Sequence, residues 1–368
     1  MRHFLRSLPS YGLALAIALG AGQAQTSAAQ SSGGDLTIAT WGGFYQKAQT
    51  RVLAEPFAFQ SAKTIDVVTY SGQANEVRQR VEAFRNSGQE VGWDVIDLER
   101  ADAEQLCFEG YIQPLQVQSL GLGDVDNDFV DGGVGLCWVG NVVWSQSFGY
   151  DKRLYRGAEP FALSDAFDLQ LFPGRRVLTT SAQVVLELAL LSEGVAPDQI
   201  YDVLSNPDGV SEALAVLDQL RGNVTFTNSA ADAFNLLKTG QAGIGLIHHF
   251  EALREARAVG DNVGYLWDNH VLDLDVFAIP VGSSNPVLAR DFIANVSRAA
   301  YQSAMATVTG YGPARLSAAD SAREDLREWL PTGPENRGQG LLFSASFWES
   351  PEGQRAQGAY DTWRTSIQ

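Results

Sequence analysis

The stretch Leu36–Gln46, LTIATWGGFYQ, decides the fold. Five residues, Leu36 to Thr40, read as an apolar strand. Trp41-Gly42-Gly43 reads as a tight turn, and Phe44 opens a helix. Strand, glycine turn and helix in that order begin an α/β unit. In open α/β sheets, ligands bind outside the carboxyl ends of the strands. Trp41, Phe44 and Tyr45 are therefore expected at a ligand edge.

The pattern continues outward from this stretch. Thr64–Tyr70 reads as a second strand, Gln73–Asn86 as a helix, Trp93–Leu98 as a third strand and Ala101–Glu109 as a third helix. This βαβαβ order predicts a largely parallel sheet with right-handed crossovers. Phe44–Gln60 is expected as one continuous helix. Gly121–Gly135, rich in Gly and Asp, reads as a loop. Leu136–Gly149 is a long β-prone run suited to crossing between lobes. A second α/β unit follows, with a strand at Arg176–Thr179 and an apolar helix at Ser181–Ser192. Further helices are expected at Ser211–Leu220, Ala230–Thr239 and Phe250–Val259, with strands at Val224–Thr227 and Ile244–His248. Val263–Trp267 and Val276–Pro280 read as strands around Asp273 and Asp275, with Asp273 a loop carboxylate and Asp275 a ligand or hinge carboxylate. Long helices are expected over Pro286–Gly310 and much of the acidic C-terminal segment.

Upstream of the deciding stretch, residues 1–24 read as a signal peptide. Arg2 and Arg6 give the positive start, Leu13–Leu19 the apolar run, and Gly22-Gln23-Ala24 a small-residue cut site. The apolar run is too short to span a bilayer. Residues 25–34 read as a flexible lead-in. The expected location is the periplasm of a Gram-negative cell. About 335 residues remain, too many for one ordinary core and suited to two lobes.

The 368-residue chain carries a formal charge of −17, and loss of Arg2 and Arg6 takes it to −19. That charge argues against nucleic-acid and anionic-membrane partners. The two cysteines, Cys107 and Cys137, are expected to form a disulfide in an exported chain. It closes a loop of about 30 residues and contributes about 3–4 kcal/mol on chain-entropy grounds.

Six stretches together resemble a family. They are TWGGFYQ, WDVIDLERADAEQL at the third strand, PGRRVLTTS, TGQAGIGLIHHFEALREARAVG, LDVFAIP and TGYGPAR. In their order and spacing the chain resembles the periplasmic solute-binding proteins of ABC importers, in the spermidine/putrescine-binding branch, over nearly all of residues 35–365. The resemblance implies an α/β, two-lobed periplasmic binding protein fold of type II-like form, with a ligand cleft between the lobes. Lobe 1 is expected at 35–140 plus 276–315 and lobe 2 at 141–275 plus 316–368. It implies lobe closure on a polyamine held by aromatic walls and carboxylates, followed by delivery to a permease in the inner membrane. It implies no cofactor and no metal, and a monomer is expected.

Carried onto this chain, Trp41 and Tyr45 match the first aromatic segment, and Tyr70 and Ser71 the pocket residues after the second strand. Asp275 matches the carboxylate before Ala-Ile-Pro, and Tyr311 a further wall residue. Asp273 and Glu99 are secondary carboxylate candidates, and Trp348 a candidate from the C-terminal segment. Trp144 is read as packing. Two positions depart from the family. Thr180-Ser181-Ala182-Gln183-Val184 stands where polyamine binders carry acids, and His248 stands where they carry a tryptophan.

The departures point to a second ligand class. Ser181 is read as the N-cap of the apolar helix, whose N-terminus suits an anion. A zwitterion such as a γ-amino acid then fits, its amine on Asp275 and the aromatics and its acid at Ser181. An aminophosphonate fits the same scheme. His248 is read as a cleft wall or hydrogen-bonding group, because adjacent strand residues such as His248 and His249 face opposite ways and rarely share an ion. From other classes, an exported hydrolase and a ligand-sensing receptor component are alternatives. GxSxG, HExxH and SxxK in catalytic context do not stand out, which argues against an enzyme.

Overall fold

A computed structural model describes residues 33–258 and 260–367. The expected signal peptide and most of the lead-in lie outside the described residues.

Three parallel strands form one flank of the sheet: β1 (Leu36–Thr40), β2 (Ile65–Thr69) and β3 (Val95–Glu99). The centre is β4 (Trp138–Asp151), running antiparallel to the later β9 (His270–Ala278). The other flank is again parallel: β5 (Arg176–Thr179), β6 (Val224–Thr227) and β7 (Ile244–His248). The strand order is β2-β1-β3-β9-β4-β7-β5-β6. Short strands β8 (Val263–Tyr265) and β10 (Gly312–Pro313) pair with β4, and β11 (Gly340–Leu342) pairs with β9.

Two large apolar cores flank the central strands. One gathers Leu36, Ile38, Val95, Val139, Val143, Leu274, Val276, Phe292 and Met305. The other gathers Phe148, Leu186, Leu188, Leu217, Leu246, Val271, Tyr360 and Trp363. β4 and β9 thus each feed both cores. The disulfide joins Cys107, at the end of the helix Arg100–Phe108, to Cys137 just before β4. Among the described residues, no helix is long and apolar enough to cross a membrane.

The structure corrects several expectations. Asp273 lies within β9 with Asp275, not in a loop, and every residue of that strand is buried. The strand alternates Leu272, Leu274 and Val276 on one face with Asp273, Asp275 and Phe277 on the other. The polar face misled the reading, because a strand buried on both sides can carry acids only where tertiary partners receive them. The helix after Trp41 is interrupted: Gly43–Gln49 and Glu55–Ser61 are α-helical, with a π-turn at Thr50–Ala54 between them. Pro56 has no N–H to continue a regular α ladder. The helix expected over Pro286–Gly310 is two helices, Pro286–Val296 and Ala299–Thr309.

Candidate functional site

Parallel strands of both flanks, β1 and β3 from one and β5, β6 and β7 from the other, end at one cleft of about 550 Å³. From the first flank come Trp41 and Tyr45 after β1 and Glu99 at the end of β3. The central strands contribute Asp275, Trp144 and Gln146. The second flank contributes Thr179–Val184 after β5, Asn228–Ala230 after β6, and His248 and Phe250 after β7. Tyr311 and Phe343 complete the lining.

Aromatic rings run across the cleft from one lobe to the other. Tyr45 meets Tyr311 at 5.4 Å between centroids, Tyr311 stacks on Phe250 at 4.5 Å, and Phe250 stacks on His248 at 4.9 Å. Trp144 meets His248 edge-on at 5.9 Å. Trp41 forms a separate wall, backed by Tyr70 at 5.9 Å, which in turn abuts Trp93 at 5.3 Å. Its indole N–H is buried and has no hydrogen-bond partner among the described residues. Gly72, at φ 76°, underlies Trp41: a Cβ there would collide with the indole ring. Gly42, at φ 85°, makes the turn that aims Trp41 at the cleft.

The register of β3 against β9 concentrates acid on one face. Glu99 pairs with Asp275 and Asp97 with Phe277, so Asp97, Glu99, Asp273 and Asp275 project to the same side. Asp97 is fully buried. Its Oδ2 accepts from Gln49 Nε2 at 2.5 Å and from Asn141 Nδ2 at 3.3 Å. Burial pushes the Asp97 carboxyl up to about 7 against these donors. Glu99 rises to about 7, through burial first and then the nearby Asp273 and Asp102. Asp275 rises well above the ordinary carboxylate range. Burial is the main cause, Asp97, Glu99 and Asp273 add to it, and a hydrogen bond from Trp144 opposes it. No Lys or Arg is among the described residues lining this cleft.

The opposite wall is uncharged at its surface and made of helix beginnings. The helices Val185–Ser192, Ala230–Lys238 and His249–Arg257 all start at the cleft. First-turn N–H groups have no intrahelical partner and carry partial positive charge. Each helix also holds an acid in its first turn. Asp232 N–H donates to Ser229 Oγ, and His248 N–H donates to the Glu251 carboxylate at 3.1 Å. Glu187 accepts from Trp348 Nε1 at 2.7 Å, and burial pushes it up to about 7. The segment before the first helix is held from behind: Ala182 N–H donates to Gln357 Oε1 at 2.8 Å, and Tyr360 O–H to the Thr179 carbonyl at 2.7 Å.

Of the residues singled out from sequence, Trp41, Tyr45, Glu99, Ser181, His248, Asp275 and Tyr311 line the cleft together. Tyr70 does not; it is buried behind Trp41 and donates its hydroxyl hydrogen to the Asp97 carbonyl at 2.8 Å. Ser71 does not; its N–H donates to Glu76 and its hydroxyl receives Gln73 N–H in an exposed turn. Asp273 is withdrawn into an ion pair with Arg100 at 3.0 Å. Phe44 is exposed away from the cleft, and Trp348 packs in the second core. Ser181 is not a helix cap, because the helix begins at Val185 with Val184 at φ 68° as the capping residue. His248 faces the cleft, whereas His249 is buried, its Nε2 2.9 Å from the Gly310 carbonyl.

Sequence reasoning missed several lining residues. Asn228, Ser229 and Ala230 follow a strand as directly as Trp41 does, so the strand-end rule reaches them. Trp144, read as packing, faces the cleft from mid-strand, where only the register of β4 against β9 reveals it. Phe343 carries no sequence signal.

A family model for bacterial extracellular solute-binding proteins matches residues 53–328. A γ-aminobutyric acid-binding protein of Pseudomonas aeruginosa is 28% identical over 362 residues, 98% of this chain and 97% of the relative. Among solved structures, MotA of A. tumefaciens B6 in complex with glucopine is 28% identical with a TM-score of 0.69, covering 90% of this chain and 99% of that one. The GABA receptor Atu4243 is 25% identical with a TM-score of 0.72, covering 90% and 97%. With a family model matched over residues 53–328 and the same fold in these solved structures, the chain belongs to the bacterial extracellular solute-binding protein family.

Proposed function

We propose that the cleft captures a small zwitterionic amine, with a γ-amino acid such as γ-aminobutyrate as the preferred ligand. The observation that carries this reading is the unequal charge of the two walls. Asp275 and Glu99 face the cleft with no Lys or Arg among the described residues lining it, while the opposite wall offers hydroxyls, amides and helix N-termini. The ammonium is held by Asp275, with Trp41, Tyr45 and Tyr311 as aromatic faces, each good contact adding about 0.5–2 kcal/mol. Charge-assisted hydrogen bonds strengthen that end. The carboxylate lies toward Ser181 and Asn228–Ala230. The names of the Pseudomonas aeruginosa relative and of Atu4243 support this class.

The expected cycle contains no chemistry. Ligand binds the open form, and lobe 1 (35–140 with 276–315) closes on lobe 2 (141–275 with 316–368) about the crossing strands. The closed form docks on the inner-membrane permease. The chain works as a monomer in the periplasm after removal of residues 1–24. Specific features favour a second reading: Glu99 and Asp275 together suit a diamine such as putrescine. Calorimetry with γ-aminobutyrate and putrescine separates the two. Binding of γ-aminobutyrate with weak putrescine binding is expected; tight putrescine binding with no response to γ-aminobutyrate overturns the zwitterion.

A further inference from the structure

We infer that Phe343 is a fixed partition that closes the ligand cleft and sets the length of ligand accepted. This rests on the small-amine reading above and goes beyond it. A second cavity of about 790 Å³ adjoins the cleft, and Phe343 is the residue lining both. The two cavities follow one another along β3 and its helix: Glu99 faces the first and Arg100 the second.

The phenylalanine is held as a wall. Its N–H donates to the Leu272 carbonyl at 2.8 Å, and its carbonyl accepts from Arg100 Nη2 at 2.9 Å. Arg100 is itself fixed by Asp273 at 3.0 Å. The next residue, Ser344, donates its N–H to the Tyr201 hydroxyl at 2.9 Å. These bonds fix the backbone that carries the ring, and the ring itself packs against the second core, which holds it between the compartments.

The chemistry beyond the partition is defined. Glu104, Asp131, Asp198 and Glu349 line the second cavity against Arg100 alone. An extension entering from the acidic end of the cleft meets more negative charge, so the added length that fits is cationic: a long diamine rather than a long amino acid. With Phe343 in place, such a ligand stops at the ring. Arg100 is a positioning residue for this wall, since it holds the Phe343 backbone rather than touching ligand.

The test is calorimetry on the wild type, Phe343→Ala and Phe343→Leu with four compounds: putrescine, 1,6-diaminohexane, γ-aminobutyrate and 6-aminohexanoate. Phe343→Ala is expected to shift the ratio of long-diamine to putrescine affinity by about tenfold toward the long diamine, the lower end of what one methylene is worth in an apolar pocket. The ratio for the amino acid pair should move less, and Phe343→Leu, which keeps a wall, should retain the wild-type ratio. In a ligand-free crystal structure of Phe343→Ala, the two cavities should be one. An unchanged diamine ratio, or two cavities still separate, overturns the partition. If the wild type binds none of the four compounds, the small-amine reading fails, and the crystal structure still decides on the partition.

Discussion

The two walls of the cleft are made by the same device and end with opposite electrical character. Both present carboxyl ends of parallel strands, β1 and β3 on the first wall and β5, β6 and β7 on the second. On the first wall, β3 lies beside β9, and that one pairing sets Asp97 and Glu99 on the same face as Asp273 and Asp275. On the second, the strands lead into helices whose beginnings face the cleft, and their first-turn acids are engaged away from it: Glu187 with Trp348, Asp232 with Ser229 and Glu251 with the His248 N–H. Topology therefore supplies the place, and the neighbour of each strand supplies the charge. In a wall rich in buried carboxyl groups, loss of water drives the acids toward their neutral form. The charged form becomes favourable when a cation arrives.

The largest effect should come from removing the counter-charge behind the acidic wall. Arg100→Met leaves Asp273 buried without its partner and should destabilise the protein by about 3–5 kcal/mol in urea unfolding. Little change would mean that the wall tolerates its acids unaided, and the contrast between the walls would lose its cost.

Next is Asp275→Asn. It should weaken amine binding by about 2–4 kcal/mol in calorimetry, as loss of a buried charged partner does. It should also leave the unliganded protein as stable as before or more so, because repulsion with Asp97 and Glu99 is relieved. Unchanged affinity would detach the acidic wall from the ligand.

The pH response should differ between the two regions. Burial raises Asp97 and Glu99 to about 7 in the folded protein, from 3.8 and 4.5. Between about pH 4 and 7 the folded state then holds more protons than the unfolded one, so this stabilisation is lost as pH rises through that window. His249 and His270, buried behind the second flank and the centre, are depressed to about 3 and about 4 from 6.5. Their contribution runs the other way and is lost as pH falls below 6.5. Denaturation of Glu99→Gln across pH 5–8 should show a weaker decline toward high pH than the wild type. Affinity for a cationic amine should rise about tenfold from pH 6 to pH 8, as a carboxyl titrating near 7 becomes ionised. A flat profile would separate the acids from the amine.

The smallest effect of a substitution is expected on the uncharged wall. Ser181→Ala should reduce γ-aminobutyrate affinity by about 1.5 kcal/mol, one hydrogen bond to a charged group at its low end, and leave putrescine binding unchanged. Equal losses for both ligands would assign Ser181 to loop structure.

Much of this was legible in the residues. The alternation from Leu36 to Glu109 predicts the first parallel flank, and TWGGFYQ predicts an aromatic strand end, because both are local patterns. Tyr70 and Ser71 were placed too far forward: they follow β2, the outermost strand, whose end lies behind Trp41. Asp273 was separated from Asp275 only by Arg100, which arrives from 173 residues away in sequence. Trp144 was hidden because a tryptophan in a strand reads the same whether it faces a core or a cleft.

By itself the sequence determined the α/β alternation, the cysteine pair and the aromatic turn. Each depends on hydrophobic period, on glycine's freedom at positive φ, or on composition, all written within a few residues. The tertiary structure alone decided which acids share a face, which wall stays uncharged, and that Phe343 stands between two cavities. Those outcomes depend on strand register and on contacts between distant segments, where a shift of one residue would turn Asp275 away from the ligand.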